Sequence, residues 1–370
     1  MKPKKMIPVT GPSITATEVA WISRAAKDGW NKNALKYVNL FEERFAAYVG
    51  RKYAHATSSC TGALHLAYLA LGIKKGDEVI VPNITWAATA EPLYYMGAKV
   101  VFADIERDTW CIDPKDIERK ITKKTKAIVV VDMYGHIPDM DAIMSIAKRH
   151  NLKVVEDAAE AVGAEYHRRM GGSFGDVSVF SFHGSKTLVT GEGGMLLSDD
   201  KKIVDKARWY NDHCKDPKKL FWNLEIGYRY KMSNLQAACG LGQLSRVREL
   251  VAKKRKIFSW YEKRLHGIPG ITLNAERPRT KNGYWMVTAV FDKKYNVIKE
   301  DLVRTLAAEN IQARPFFYPM SSLPAMRTAD KTPVAFDISP RAINLPCGQS
   351  LTEQEVDYVC KTLLKVIGAR

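Results

Sequence analysis

Two ionisable residues stand out by where they fall in the chain. The run Lys153-Val154-Val155-Glu156-Asp157-Ala158-Ala159-Glu160 puts a carboxylate at the exit of an apolar stretch, followed by small residues that let another group come close. A second apolar run, Val177 to Phe182, leads into His183-Gly184-Ser185-Lys186-Thr187 and then Thr190-Gly191-Glu192-Gly193-Gly194. One lysine is thereby set between a strand end and a glycine-rich turn. An acid at a strand exit needs a partner, because an unpaired buried charge is costly. A lysine that acts as a nucleophile must be positioned and partly desolvated, and glycines let the backbone crowd against it. An Asp and a Lys delivered by neighbouring strand ends suit pyridoxal 5′-phosphate (PLP), whose chemistry needs a Schiff-base lysine and a carboxylate facing the pyridinium nitrogen. Taken singly, the Asp also reads as a helix cap and the Lys as a surface residue; the joint pattern is what points to the cofactor.

The elements that must position these residues follow from periodicity. From about Phe41 to Asp199, helical patterns alternate with short apolar runs: Glu78 to Val81, Val100 to Ala103, Ala127 to Val131, Lys153 to Glu156, Val177 to Phe182 and Met195 to Leu197. That alternation predicts a mostly parallel sheet covered by helices, an α/β architecture in which functional groups collect where strands end. Thr61 to Leu71 and Asp139 to His150 carry apolar residues at helical spacing and return the chain across the sheet. A long helical pattern over Met232 to Lys256 is expected to lead out of the large domain. Beyond it a strand at Tyr284 to Phe291 and helices at Lys299 to Glu309 and Glu353 to Ile367 predict a small α+β unit, dividing the chain into residues 1–250 and 251–370.

The 370 residues, 46% hydrophobic, suffice for such a pair of cores. Net charge is +17, but the basic residues fall in short runs such as Lys253-Lys254-Arg255-Lys256, without interleaved aromatics or a nucleic-acid motif. They read as solvated surface, not as a nucleic-acid site. Met1 to Ile7 lacks a signal-peptide core and no segment is apolar for long enough to span a bilayer, so a cytoplasmic, membrane-free protein is expected. The six cysteines are dispersed without CxxC pairs or His partners, which predicts reduced thiols and neither a metal site nor disulfides.

The segments Glu156-Asp157-Ala158-Ala159-Glu160, Gly172-Ser173-Phe174-Gly175-Asp176, Ser181 to Lys186, Thr190 to Gly194 and Lys231-Met232-Ser233-Asn234-Leu235-Gln236-Ala237-Ala238 resemble the DegT/DnrJ/EryC1/StrS family of PLP-dependent sugar aminotransferases. The likeness runs in order from Ile7-Pro8-Val9 to Asn344-Leu345-Pro346. Within the family it is nearest to the GDP-perosamine synthases, through Gly29-Trp30, Lys36-Tyr37, Asp132-Met133-Tyr134-Gly135 and Arg314 to Pro319. The resemblance implies PLP fold type I, like aspartate aminotransferase, with a seven-stranded mostly parallel sheet. It implies a homodimer with a shared active site, and transfer of an amino group from glutamate to the C4 ketone of GDP-4-keto-6-deoxymannose, with pyridoxamine 5′-phosphate as the alternate cofactor form.

Carried over residue by residue, the resemblance makes Lys186 the covalent attachment point and proton carrier, and Asp157 the partner of the pyridine nitrogen. Trp86 would stack on the ring, with a core aromatic as the alternative reading. Glu160 would lie near the ring's hydroxyl edge, or serve only as an N-terminal helix residue. Cys60, Thr61 and Ser181 would take the cofactor phosphate, since a helix start offers free N–H groups to an anion; Thr61 also reads as an N-cap. Arg229 stands where the family commonly has Asn, reaching the phosphate bound by the other subunit. Trp30, His183, Arg314 and Tyr318 are the substrate-side candidates. Ser59-Cys60-Thr61 departs from the family's Asn-Gly-Thr, and Tyr318 and Ser321 fall where the family often carries nearby histidines. Other readings are a UDP- or dTDP-sugar aminotransferase acting at C3 or C4, a related dehydratase, in which histidine typically replaces the lysine, and a non-catalytic regulator.

Overall fold

A computed structural model describes residues 3–369; Met1 and Lys2 of the basic N-terminal segment lie outside the described residues. Seven strands make the main sheet: Tyr53–Thr57 (β1), Glu78–Pro82 (β2), Lys99–Ala103 (β3), Thr125–Val131 (β4), Lys153–Asp157 (β5), Val177–Ser181 (β6) and Gly194–Ser198 (β7). Their order is β1-β7-β6-β5-β4-β2-β3. Every neighbouring pair from β6 to β3 is parallel, and β7 alone runs against its neighbours β1 and β6. β2 and β6 are buried throughout, as expected for parallel strands covered on both faces. The covering helices include Ala16–Asp28 (α1), Lys36–Val49 (α2), Cys60–Ala70 (α3), Met140–His150 (α4) and Lys201–Asn211 (α5).

The alternation predicted from sequence is present; a small third sheet, of Glu165–Tyr166, Arg169–Met170 and Thr280–Lys281, was not expected, nor were two further features. β1 was not anticipated: its Tyr-Ala-His-Ala-Thr sequence is short and only partly apolar, and it is held as a strand by pairing along its whole length with β7. The long helical pattern over Met232 to Lys256 is two helices, Asn234–Ser245 (α6) and Val247–Leu265 (α7). At the break the Ser245 hydroxyl donates to the Gly242 carbonyl at 2.6 Å, competing with the helical ladder. The Arg246 guanidinium is meanwhile drawn to Glu18, whose side chain is fully buried, at 2.8 Å.

The second sheet contains Ile271–Leu273 (β8), Val287–Phe291 (β9), Arg314–Pro315 (β10) and Ala342–Leu345 (β11), in the order β8-β9-β11-β10. Helices Lys299–Ala308 (α8) and Glu353–Ile367 (α9) accompany it. The first residues of the chain pack here too: Ile7 and Val9 are buried among the C-terminal apolar residues, and Ile7 pairs with Ile311. β10 and the segment after it reach the C-terminal edge of the main sheet, where Met320 N–H donates to the Asn83 carbonyl at 2.8 Å.

Candidate active site

Topology brings the chemistry to one edge. Asp157 ends β5, in register with Val131 of β4 and Val179 of β6. Lys186 lies in the connection between β6 and β7, whose base is closed by the Ser181–Gly194 pair and the His183–Gly191 bridge. α3 begins immediately after β1 at the same edge. Its N-cap Ser59 accepts from Gly62 N–H at 3.1 Å, and the first intrahelical bond is made by Ala63 N–H. The amides of Cys60 and Thr61 therefore stand ahead of the helical ladder, at the positive end of the helix dipole. A Cβ on Gly194 would lie 2.6 Å from Ser59 backbone atoms, so only glycine lets the lysine-bearing hairpin approach the start of α3.

These residues surround a cavity of about 620 Å³ that is lined by Cys60, Thr61, Trp86, Asp157, Glu160 and Ser181, and by Lys186 and His183. Arg314 and Tyr318 line it from the β10 side. The Lys186 ammonium is 3.3 Å from Glu160 Oε1 and 3.6 Å from the centre of the Trp285 ring. The other oxygen of Glu160 accepts from Tyr134 N–H at 2.7 Å. Burial pushes the Glu160 carboxyl up, opposed by Lys186 and that amide. Asp157 accepts from the Thr89 hydroxyl at 2.8 Å and from Ala159 N–H at 3.2 Å. Burial raises it as well, and the hydroxyl, the amide and Lys186 hold it down. An acid this buried, served by neutral donors and one lysine already facing Glu160, is suited to a further cation placed against it.

Trp86 is 66% exposed, which rules out a core aromatic; its ring lies 6.4 Å from Phe317 at the cavity. The Ser181 hydroxyl accepts from His183 N–H at 3.4 Å. His183 is exposed, with Nδ1 2.8 Å from the Ser185 hydroxyl. The Cys60 thiol is pushed well up by desolvation and by the Asp157 charge, so it offers a backbone amide and no nucleophile. Arg314 has a long contact, 3.5 Å, to the Thr10 hydroxyl and makes no ion pair among the described residues.

Two residues named from the sequence lie outside this cavity. Trp30 is exposed beyond α1, its indole N–H donating to the Ala26 carbonyl at 2.8 Å. Arg229 is exposed and 3.4 Å from Asp212, which also holds Lys231 and Lys215. Conversely, Trp285 and Thr89 touch Lys186 and Asp157 directly and were not singled out. Trp285 falls inside the strand expected over Tyr284 to Phe291, but the strand begins at Val287, and Trp285 lies in the bend before it, after Tyr284 at φ +47°, where strand alternation does not apply. Thr89 follows Trp86 in a short turn whose hydroxyls, Thr85 and Thr89, lie 3.1 Å apart.

The arrangement fits PLP: a lysine and a buried acid on one cavity, a helix start for a phosphate, and exposed aromatic surface beside them. The model of the DegT/DnrJ/EryC1/StrS aminotransferase family matches residues 12–364. GDP-perosamine synthase of Escherichia coli O157:H7 is 39% identical over 97% of this chain and 98% of its own. That of Vibrio cholerae is 38% identical over 97% and 98%. Among solved structures, PseC of Helicobacter pylori, an aminotransferase involved in the biosynthesis of pseudoaminic acid, superposes with a TM-score of 0.92. It is 27% identical, over 98% of this chain and all of the other.

Proposed function

Because the chain belongs to the DegT/DnrJ/EryC1/StrS aminotransferase family, and is a PLP-dependent aminotransferase acting on nucleotide sugars, we propose that it moves an amino group from glutamate to the C4 ketone of GDP-4-keto-6-deoxymannose, giving GDP-perosamine. The observation that carries the reading is the convergence of Lys186, Asp157 and the start of α3 on one cavity, together with near-full-length likeness to two GDP-perosamine synthases.

In this reading Lys186 would hold the cofactor and would carry a proton at the substrate carbon that bears nitrogen. Glu160, 3.3 Å away, steadies the free ammonium. Asp157 keeps the ring nitrogen protonated, held in place by Thr89. The amides of Cys60 and Thr61 and the Ser181 hydroxyl take the phosphate, and Trp86 covers the ring. Bound here, PLP supplies the electron sink that lets a carbon–hydrogen bond beside nitrogen break. Arg314, the arginine lining the cavity, and Tyr318 face the nucleotide sugar, with His183 beside the lysine loop.

The working unit we propose is a homodimer. Leu220, Phe221 and Ile226 are all more than 80% exposed, a dense apolar surface on the approach to Arg229. A second copy that covers this segment brings Arg229 to the partner's cofactor phosphate, a contact it does not make within its own chain. Among the described residues no helix is long and apolar enough to cross a membrane; the cytoplasm is the proposed compartment.

The experiment is visible absorption of the purified protein. Glutamate is expected to bleach the cofactor band and GDP-4-keto-6-deoxymannose to restore it. Restoration only by dTDP-4-keto-6-deoxyglucose overturns the substrate while keeping the aminotransferase. The dehydratase reading is disfavoured by Lys186 itself.

A further inference from the structure

Lys299 is 1% exposed, and the partners of its ammonium among the described residues are a carbonyl, a hydroxyl and a ring, with no carboxylate in ion-pair contact. An ammonium in that position has lost water and must place its N–H groups elsewhere. It donates to the Phe316 carbonyl at 2.8 Å and to the Ser339 hydroxyl at 2.9 Å, and lies 3.5 Å from the centre of the Tyr318 ring. Ser339 in turn donates to the Phe317 carbonyl at 2.7 Å. The next residue, Glu300, accepts from the Tyr318 hydroxyl at 2.5 Å.

The start of α8 thus grips Phe316 and Tyr318 directly, by a carbonyl, a ring and a hydroxyl, and reaches the Phe317 carbonyl through Ser339. That segment follows β10 and runs as irregular chain, so its carbonyls need donors from elsewhere. It is also one wall of the cavity: Arg314, Phe317 and Tyr318 line it, and Phe317 stacks on Tyr134 with ring centres 5.6 Å apart. The opposite side, with Lys186 and Asp157, is built on the main sheet. The distance between the reacting groups and this wall therefore depends on what anchors the wall. A Met or Leu would fill the space under Tyr318 without the cost of burying a charge, so a lysine here has a polar task.

We propose that Lys299 and Glu300 are positioning residues that fix the wall at Arg314 to Tyr318, and that through it they set recognition of the nucleotide-sugar substrate without touching it. The inference rests on the reading that this wall faces the sugar nucleotide. Glutamate is far smaller than a sugar nucleotide and meets less of this wall, so on the same reading loosening the wall weakens the large substrate more than the small one.

The test uses the holoenzyme and the variants Lys299→Met, Glu300→Gln, Tyr318→Phe and the double variant of the last two. Lys299→Met is expected to raise KM for the keto sugar about ten-fold while kcat and the rate of bleaching by glutamate stay within about two-fold, the signature of lost substrate positioning rather than lost chemistry. Glu300→Gln keeps an acceptor and weakens the contact that Tyr318→Phe removes, so the two are expected to be non-additive, the double variant resembling Tyr318→Phe alone. Amide exchange at residues 316–318 is expected to quicken in Lys299→Met with β5 and β6 unchanged, a readout that needs no substrate. Equal losses for both substrates, an unchanged sugar KM, or unchanged exchange at 316–318 overturns the proposal. If the wild-type enzyme refuses the GDP sugar, the GDP assignment fails, and the same comparison is decided with the dTDP keto sugar it accepts.

Discussion

Asp132, the residue after the end of β4, and Glu156, on the neighbouring β5, meet as two fully buried carboxyls beneath the site. Glu156 accepts from Gly172 N–H at 2.6 Å and Phe174 N–H at 2.8 Å, whereas neither oxygen of Asp132 meets an N–H or O–H donor. Burial and then the charge and hydrogen bond of Glu156 push Asp132 well above the carboxylate range. Burial and the neighbouring Glu156 thus favour the form of Asp132 that keeps its proton.

That proton has a consequence for stability against pH. An acid whose folded-state affinity for a proton is raised contributes fully below its unfolded value and loses that contribution as pH rises toward the folded one. Above about pH 4 the unfolded chain gives up a proton that the folded protein retains, which costs up to about 1.4 kcal/mol per pH unit. Asp132→Asn keeps a donor toward Glu156 and removes the titration. Its stability relative to wild type is expected to climb as pH rises from 4, measured by urea unfolding of the cofactor-free proteins at a series of pH values. Parallel curves for the two proteins mean that Asp132 is ionised.

Lys186→Arg retains charge and length and cannot form the covalent link. The variant is expected to fold normally, to lose the wild-type visible band, and to turn over at least about a thousand-fold more slowly, in line with removal of a group that attaches and carries protons. Borohydride treatment followed by peptide mass mapping checks the attachment site: cofactor fixed to any peptide other than the one with Lys186 refutes the assignment.

Asp157 and Thr89 form a chain behind the proposed ring position. Asp157→Asn is nearly isosteric and loses the negative charge that favours a protonated ring nitrogen, so turnover is expected to fall by about a hundred-fold or more. Thr89→Val removes one hydrogen bond to that carboxylate and is expected to cost about 1 kcal/mol, roughly five-fold in rate. Because the two act in series, adding Thr89→Val to Asp157→Asn is expected to cost little more. Full additivity in steady-state rates rejects the chain.

What could be read from sequence divides along physical lines. Lys186 and Asp157 were legible because their meaning depends on residue type and on lying at strand exits, both local properties. β2, β4, β5 and β6 were legible because buried parallel strands are continuous apolar runs. Trp285 was not: its role comes from which face of the chain turns toward Lys186, a property of packing between the two sheets. Nor was the break at Arg246, since the pull of the buried Glu18 comes from α1, more than two hundred residues away in the chain. Lys299 fell within a predicted helix, and nothing in its neighbours distinguishes a buried lysine from a solvated one.

Arg229 reaches no part of the cavity in its own chain. If it completes the partner's site, Lys186→Ala and Arg229→Ala impair catalysis on different chains of the same site. Each homodimer is then expected to be weakly active. After unfolding and refolding together in equal amounts, half the dimers are mixed, and one site in each has both Lys186 and Arg229 intact. The mixture is expected to recover about a quarter of wild-type activity, as two-fold symmetry with a shared site requires. Activity that stays at the sum of the separate variants, with mixed dimers demonstrated by mass spectrometry, shows that Arg229 acts within its own chain or not at all. Replacing Phe221 and Ile226 by Asp tests the same arrangement from the interface: the sedimentation coefficient is expected to drop to that of a monomer, and affinity for the cofactor to fall with it.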